Sequence, residues 1–321
     1  MPKSKYRYNN IDNVSTDKTL KQFSQWREER RGKNKDYSYV VPHADPELDY
    51  LRNNREETSI TWIGHSTFFI QYQGLNIVTD PVWAPRMGFQ KRLSSPGIPI
   101  EHIPPIDIIL ISHSHYDHMH ISSIRKLYRS GTTILVPDGL KRKMQRKGFH
   151  HCHEMKWWEE QTIKGIKFSF VPTQHWTRRT PFDTNSSHWG GFVLEPVKPQ
   201  VPGSGEPIIY FAGDSGYFDG FKDIGQRYNI DVALMPIGAY EPEWFMTSQH
   251  VNPEEAIQAF VDVKATTMIP MHFGTFRLAD DTAREALDRM ELERQKREIP
   301  EDAIKVLHYG QTLRYPIVHP L

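Results

Sequence analysis

From Ile106 to His118 the chain reads IDIILISHSHYDH, a buried-strand run that ends in His113-Ser114-His115-Tyr116-Asp117-His118. No other stretch limits the chain so tightly, because the apolar half demands a covered sheet and the polar half demands a shared partner. Imidazole nitrogen and carboxylate oxygen bind divalent transition metals at about 2.0–2.2 Å. In an extended segment, residues i and i+2 point the same way, so His113 and His115 can grip one ion. Asp117 and His118 follow where the chain turns and can reach a second. The competing reading is a polar, histidine-rich loop with no ligand.

Other strand signals end in the same residue types. TILVP (133–137), IKFSFVP (166–172), PIIYFAG (207–213), VALMPIG (232–238) and TTMIPMH (266–272) all read as buried strands. Helical patterns fall between several of them: ISSIRKLYRS, PEEAIQAFVD and DTAREALDRMELERQ. Strands alternating with helices predict an α/β layered architecture. His175 follows FSFVPTQ, Asp214 follows IIYFAG and His272 follows TTMIPM. Ligands of open α/β sheets collect beyond the carboxyl ends of strands, so these three can join the His113–His118 group on one rim. Two ions are then accounted for if Asp214 bridges. His113, His115, His175 and Asp214 would hold the first, and Asp117, His118, Asp214 and His272 the second. Zinc is the first expectation; Mn2+ and Fe2+ also suit nitrogen–oxygen sites.

Lys plus Arg number 40 against 39 Asp plus Glu. That balance gives no global case for nucleic acid as a partner. The single cysteine, Cys152, excludes a disulfide framework and a cysteine metal cage. The polar start, MPKSKYRYNNIDNVS, lacks the apolar core of a signal peptide, and no window approaches a membrane span. The expected location is therefore cytoplasmic, with peripheral membrane contact and self-association left open. Residues 1–56 read as a polar N-terminal extension with a short docking helix, carrying Leu20, Phe23 and Trp26 on one face. Residues 57–321 read as the catalytic domain. Gln73-Gly74 is expected to turn between two paired strands, and 197–207 to form a surface loop.

The HxHxDH pattern at 113–118, with His175, Asp214 and His272, resembles the metallo-β-lactamase superfamily over roughly residues 58–315. The wording within it is similar to the N-acylphosphatidylethanolamine-hydrolysing phospholipase D family. GHSTFFI, TDPVW, PPIDIILISHSHYDH, QHW, FAGDSGY, PIGAYEPEWFM, QHVNPEEA and MHFGTF carry that resemblance. It implies a four-layer αβ/βα sandwich and a two-zinc phosphodiesterase that cleaves a phospholipid on its head-group side. It also places Gln249 and His250 at the mouth of the site. The expected catalytic residues are Asp117, Asp214 and His250. Gln249, His250, Trp244 and Arg178 are expected to bind substrate, and His65 to orient a ligand. Arg86, Lys91, Arg92 and Arg179 would add a basic rim, with Trp244, Phe245 and Met246 lining a lipid groove. The alternative is a lactonase or another hydrolase of this fold that attacks a carbonyl group.

Overall fold

In the computed structural model, which describes residues 7–11, 13–197 and 206–315, the run at 106–112 forms a strand at Ile108–Leu110. Its residues alternate between two cores. Ile108 and Leu110 face the space between two sheets, while Ile109 and Ile111 pack under the helices Ile121–Leu127 and Lys141–Gln145. Period-two alternation with both faces apolar is what a strand covered on both sides requires.

The described residues form a seven-stranded and a six-stranded sheet, plus the small hairpin Arg86–Met87/Gln90–Lys91. The first sheet runs, in spatial order, Thr312–Tyr315, Thr58–Gly64, Thr67–Tyr72, Leu75–Thr79, Ile108–Leu110, Thr133–Pro137 and Cys152–Met155. The second runs Thr267–Met271, Val232–Pro236, Ile209–Phe211, Gly191–Pro196, Ile166–Val171 and Glu160–Ile163. Helices Gly220–Arg227, Pro253–Asp262 and Ala283–Lys296 bury Phe221, Ile257, Phe260, Leu287 and Met290 in the core of the second sheet. Helices therefore lie outside both sheets, giving the four-layer αβ/βα sandwich.

Strand direction decides where the site can be. Ile209–Phe211, Val232–Pro236 and Thr267–Met271 are mutually parallel. Ile166–Val171 is separated from them by two antiparallel steps, which restore the same direction. The ends leading to His175, Asp214 and His272 thus open on one rim. Gln73 and Gly74, at φ 51° and 74°, make the expected tight turn, with Tyr72 opposite Leu75. Of the expected loop at 197–207, residues 198–205 lie outside the described residues.

The N-terminal helix Leu20–Gly32 has a capping box, in which Thr19 accepts from the Gln22 amide. Phe23 and Trp26 pack on Phe245, with ring centroids 5.1 and 5.0 Å away. Leu20 departs from the expected shared face: it is 89% exposed. The contact is made by two aromatic rings one turn apart, and Leu20, in the opening turn, lies beyond it.

Candidate metal centre

The chain turns at His115, where the amides of His118 and Met119 both return to the His115 carbonyl. That turn carries Asp117 and His118 round beside the His113–His115 pair. At the second sheet, Gly213 adopts φ 64°, and a Cβ there would lie 2.7 Å from Ser112 Cβ. Only glycine lets the Asp214 loop press this closely against the residue before His113.

Two donor groups result. His113 Nε2, His115 Nδ1 and His175 Nε2 meet, with 3.0 Å between the first two and 3.2 Å between the last two. His118 Nε2 and His272 Nε2 stand 3.2 Å apart, and Asp117 Oδ2 lies 3.4 and 3.6 Å from them. Asp214 Oδ2 faces both groups. It lies 3.1 Å from His118 Nε2, 3.2 Å from His272 Nε2, 3.9 Å from His113 Nε2 and 3.8 Å from His175 Nε2. The structure thus brings all seven sequence-predicted ligand residues together.

Three of these histidines have the other ring nitrogen spoken for. His118 Nδ1 meets Asp80 at 2.7 Å, His175 Nδ1 meets the Gln249 carbonyl at 2.8 Å, and His113 Nδ1 meets Ser112 Oγ at 2.9 Å. Protons held on those nitrogens leave the Nε2 lone pairs aimed inward, which is how metal-binding histidines are oriented. His65 Nε2 lies 2.9 Å from Asp117 Oδ2.

Burial penalises charge on Asp117 and Asp214, but His118 outweighs it and holds both carboxyls well below their usual range. Burial would also lower His118 and His272. The Asp214 and Asp117 carboxylates reverse that, raising His118 well above the histidine range and His272 to about 9. Burial dominates at His65 and His115, both held near 3, and at His175, held near 4. The two buried carboxylates are thus balanced by protons on His118 and His272, and a divalent ion would take the place of those protons on the same Nε2 atoms. Buried atoms without a hydrogen-bond partner include His115 Nε2 and Asp214 Oδ1. Ligands at about 2.0–2.1 Å around a tetrahedral ion lie roughly 3.3 Å apart, near the spacing of the converging nitrogens. The donor set fits divalent metal.

A family model described as the beta-lactamase superfamily domain matches residues 75–273. The chain belongs to the beta-lactamase superfamily. Among its relatives is the N-acyl-phosphatidylethanolamine-hydrolyzing phospholipase D 1 of Caenorhabditis elegans, 35% identical over 67% of this chain and 64% of that one. The chain thus spans less than two thirds of the worm protein's length. A metal-dependent hydrolase of Methanopyrus kandleri is 30% identical over 68% of this chain and 84% of its own. The solved structure of Igni18, a metallo hydrolase from Ignicoccus hospitalis, shares the superfamily fold. Its TM-score is 0.61 at 21% identity, over 81% of this chain and 99% of that one.

The remaining expected residues scatter around the centre. His250 Nδ1 lies 3.9 Å from Asp214 Oδ2 and has no hydrogen-bond partner. Gln249 differs from the expected substrate contact. Its side chain is buried against Met246 Sδ, and its carbonyl oxygen takes the His175 proton instead. Trp244 is 43% exposed and donates to Glu29, while Phe245 and Met246 are buried in a small core against which Trp26 packs. Arg178 is exposed over the Trp176 ring, which itself packs on His115.

Two arginines of the expected basic rim are occupied elsewhere. Arg92 donates to the carbonyls of Ser94 and Val82. Arg179 donates to those of Ser114 and Met119, pinning the turn that carries the ligands. Asp80 was missed from sequence as a site residue. Its signals were position, since it too follows a buried strand, Leu75–Thr79, and its place in the TDPVW segment.

Proposed function

We propose that this protein is a metal-dependent hydrolase, a phosphodiesterase of the phospholipase D type, acting on N-acylphosphatidylethanolamine-like phospholipids with two divalent ions, zinc first among them. The observation that carries the two-ion reading is the position of Asp214 Oδ2 between both donor groups. The phospholipid reading rests on the 35% identity to the worm phospholipase D. His113, His115 and His175 would hold one ion and Asp117, His118 and His272 the other, with Asp214 shared. Bound ions of this kind acidify a water and neutralise charge on a phosphoryl oxygen.

The chain's own residues then set position and proton flow. His65 has one proton when neutral, and its Nδ1 is without a partner, so Nε2 donates to Asp117 and fixes that carboxylate. His250 Nδ1 faces the same space from the loop before helix Pro253–Asp262 and is placed to carry a proton. Burial keeps His250 neutral, so water adds to phosphorus while giving one proton to His250, the phosphorus–oxygen bond to the head group breaks, and His250 returns that proton to the departing alcohol oxygen. Arg178 and Trp244, exposed beside these loops, are the substrate contacts in this reading.

The test is mass spectrometry of metal-loaded protein incubated with dispersed N-acylphosphatidylethanolamine. Phosphatidic acid plus N-acylethanolamine is the expected pair. Diacylglycerol plus a phosphorylated head group would place cleavage on the other side of phosphorus. Lactone opening with every phosphodiester untouched would establish the carbonyl-directed reading instead.

A further inference from the structure

The superfamily match begins at residue 75, yet a residue near the start of the chain reaches the centre. Asn10 is only 6% exposed. Its Oδ1 accepts the backbone N–H of His175 at 3.0 Å and the indole N–H of Trp189 at 3.1 Å. Its Nδ2 donates to the Val14 carbonyl at 3.0 Å, and its own carbonyl accepts the Asn13 amide at 3.1 Å. The local turn therefore presents the amide oxygen with its orientation fixed.

The neighbouring contacts show what this segment joins. Tyr8 stacks on His188 at 4.7 Å and donates to Asp138 at 2.6 Å. Lys18 donates to Ser248 Oγ at 3.1 Å, one residue before Gln249. His175 is thus held from two sides by groups outside its own loop, through its ring by the Gln249 carbonyl and through its backbone by Asn10. An aliphatic side chain at residue 10 would leave the buried His175 N–H without an acceptor and the Trp189 indole with the Thr173 carbonyl alone. The His175 loop would then have to shift to reach new partners.

We propose that Asn10 is a positioning residue of the metal centre, holding the His175 backbone so that Nε2 stays within its donor group. The inference rests on the reading of His175 as a ligand. Groups that orient metal ligands are worth about 10–100-fold in metal affinity, and that range sets the size of the effect.

The experiment titrates full-length protein, stripped with chelator, with Co2+ and Zn2+, following cobalt absorption and competition with a chromophoric chelator. Asn10→Leu is expected to weaken one of two binding steps about 10–100-fold and leave the other unchanged. Asn10→Asp keeps the oxygen acceptor and is expected to restore affinity and the cobalt spectrum. Tyr8→Ala removes the adjacent anchor without touching His175 and is expected to bind both ions like wild type. If Asn10→Leu does not fold, Asn10→Ala serves in its place. Wild-type affinity in Asn10→Leu or Asn10→Ala would overturn the inference, and so would a Tyr8→Ala loss as large as theirs. His175→Ala is the separate control: unchanged metal binding there would overturn the ligand reading itself.

Discussion

Asp80 takes the Nδ1 proton of His118 at 2.7 Å while also accepting the amide and hydroxyl of Ser112, the residue before His113. One carboxylate thus orients an imidazole of one donor group and anchors the strand end that leads to the other. Asp80→Ala should lower metal affinity about 10–100-fold with the fold retained, read by chelator competition and circular dichroism. Affinity within twofold of wild type would show that Asp80 serves only the strand end.

Asp214 Oδ2 lies within 4 Å of both donor groups, so its loss should be felt by both. Asp214→Ala is expected to retain fewer than one ion per chain by elemental analysis, against two in wild type. His65→Ala, which removes a hydrogen bond to Asp117 and ring packing on His272 but no donor atom, should keep close to the full complement. An Asp214→Ala protein that still carries two ions would refute a shared carboxylate.

His250 has no partner at Nδ1 and is not needed to complete either donor group. Metal content should therefore survive His250→Ala, while turnover of phospholipid falls. Removing a proton donor typically costs about 10²–10⁴-fold. An aryl phosphodiester, whose leaving group departs without a proton, should lose far less. Equal losses on the two substrates would remove His250 from the proton step.

Stability should carry an acid limb that comes from His188. Burial beside Trp157 and Tyr8 holds this imidazole near 4, below its ordinary value of 6.5. Between those values the unfolded chain binds the extra proton, so the contribution is complete above pH 6.5. It is lost as pH falls toward 4, by at most about 1.4 kcal/mol per pH unit. His188→Gln should flatten the pH dependence of urea unfolding by one proton's worth in that window. An unchanged slope would mean His188 is already protonated in the folded protein.

Phe89 and Phe182 are 99% and 96% exposed, one on the hairpin Arg86–Met87/Gln90–Lys91 and one on the loop after Arg179. The first loop leads to Arg92, which stacks on Phe276 beside His65; the second starts at Trp176, beside His115. Apolar side chains so placed suit shallow insertion into a lipid surface. Phe89→Ser with Phe182→Ser should slow hydrolysis of micellar phospholipid several-fold and leave a soluble aryl diester unaffected. Parallel losses on both would assign the rings to the site itself.

The seven donor residues were legible because their chemistry is specific and each follows a strand whose apolar pattern is plain. His113 after IDIILIS and His272 after TTMIPM needed no knowledge of packing. What stayed hidden acts through groups common to many residues. Gln249 contributes a main-chain carbonyl, Arg179 spends its guanidinium on carbonyls of the ligand turn, and Asn10 lies 165 positions from its partner. The central strand Gly191–Pro196 was also unread, because its opening glycine breaks the apolar pattern. Gly191 is required there, since a Cβ would lie 2.6 Å from the Phe211 carbonyl oxygen of the neighbouring strand.

The seven donors are divided between the two sheets. His113, His115, Asp117 and His118 follow a strand of the first, whereas His175, Asp214 and His272 follow strands of the second. The centre is therefore a seam, and its geometry is set by how the two layers sit on the side chains packed between them. A cavity opened at Phe170 or Trp62 would let one layer settle toward the other and shear the two halves of the donor set apart. Metal occupancy in this protein is consequently a gauge of core packing many residues away, and variants selected only for expression would drift in it without any ligand being touched.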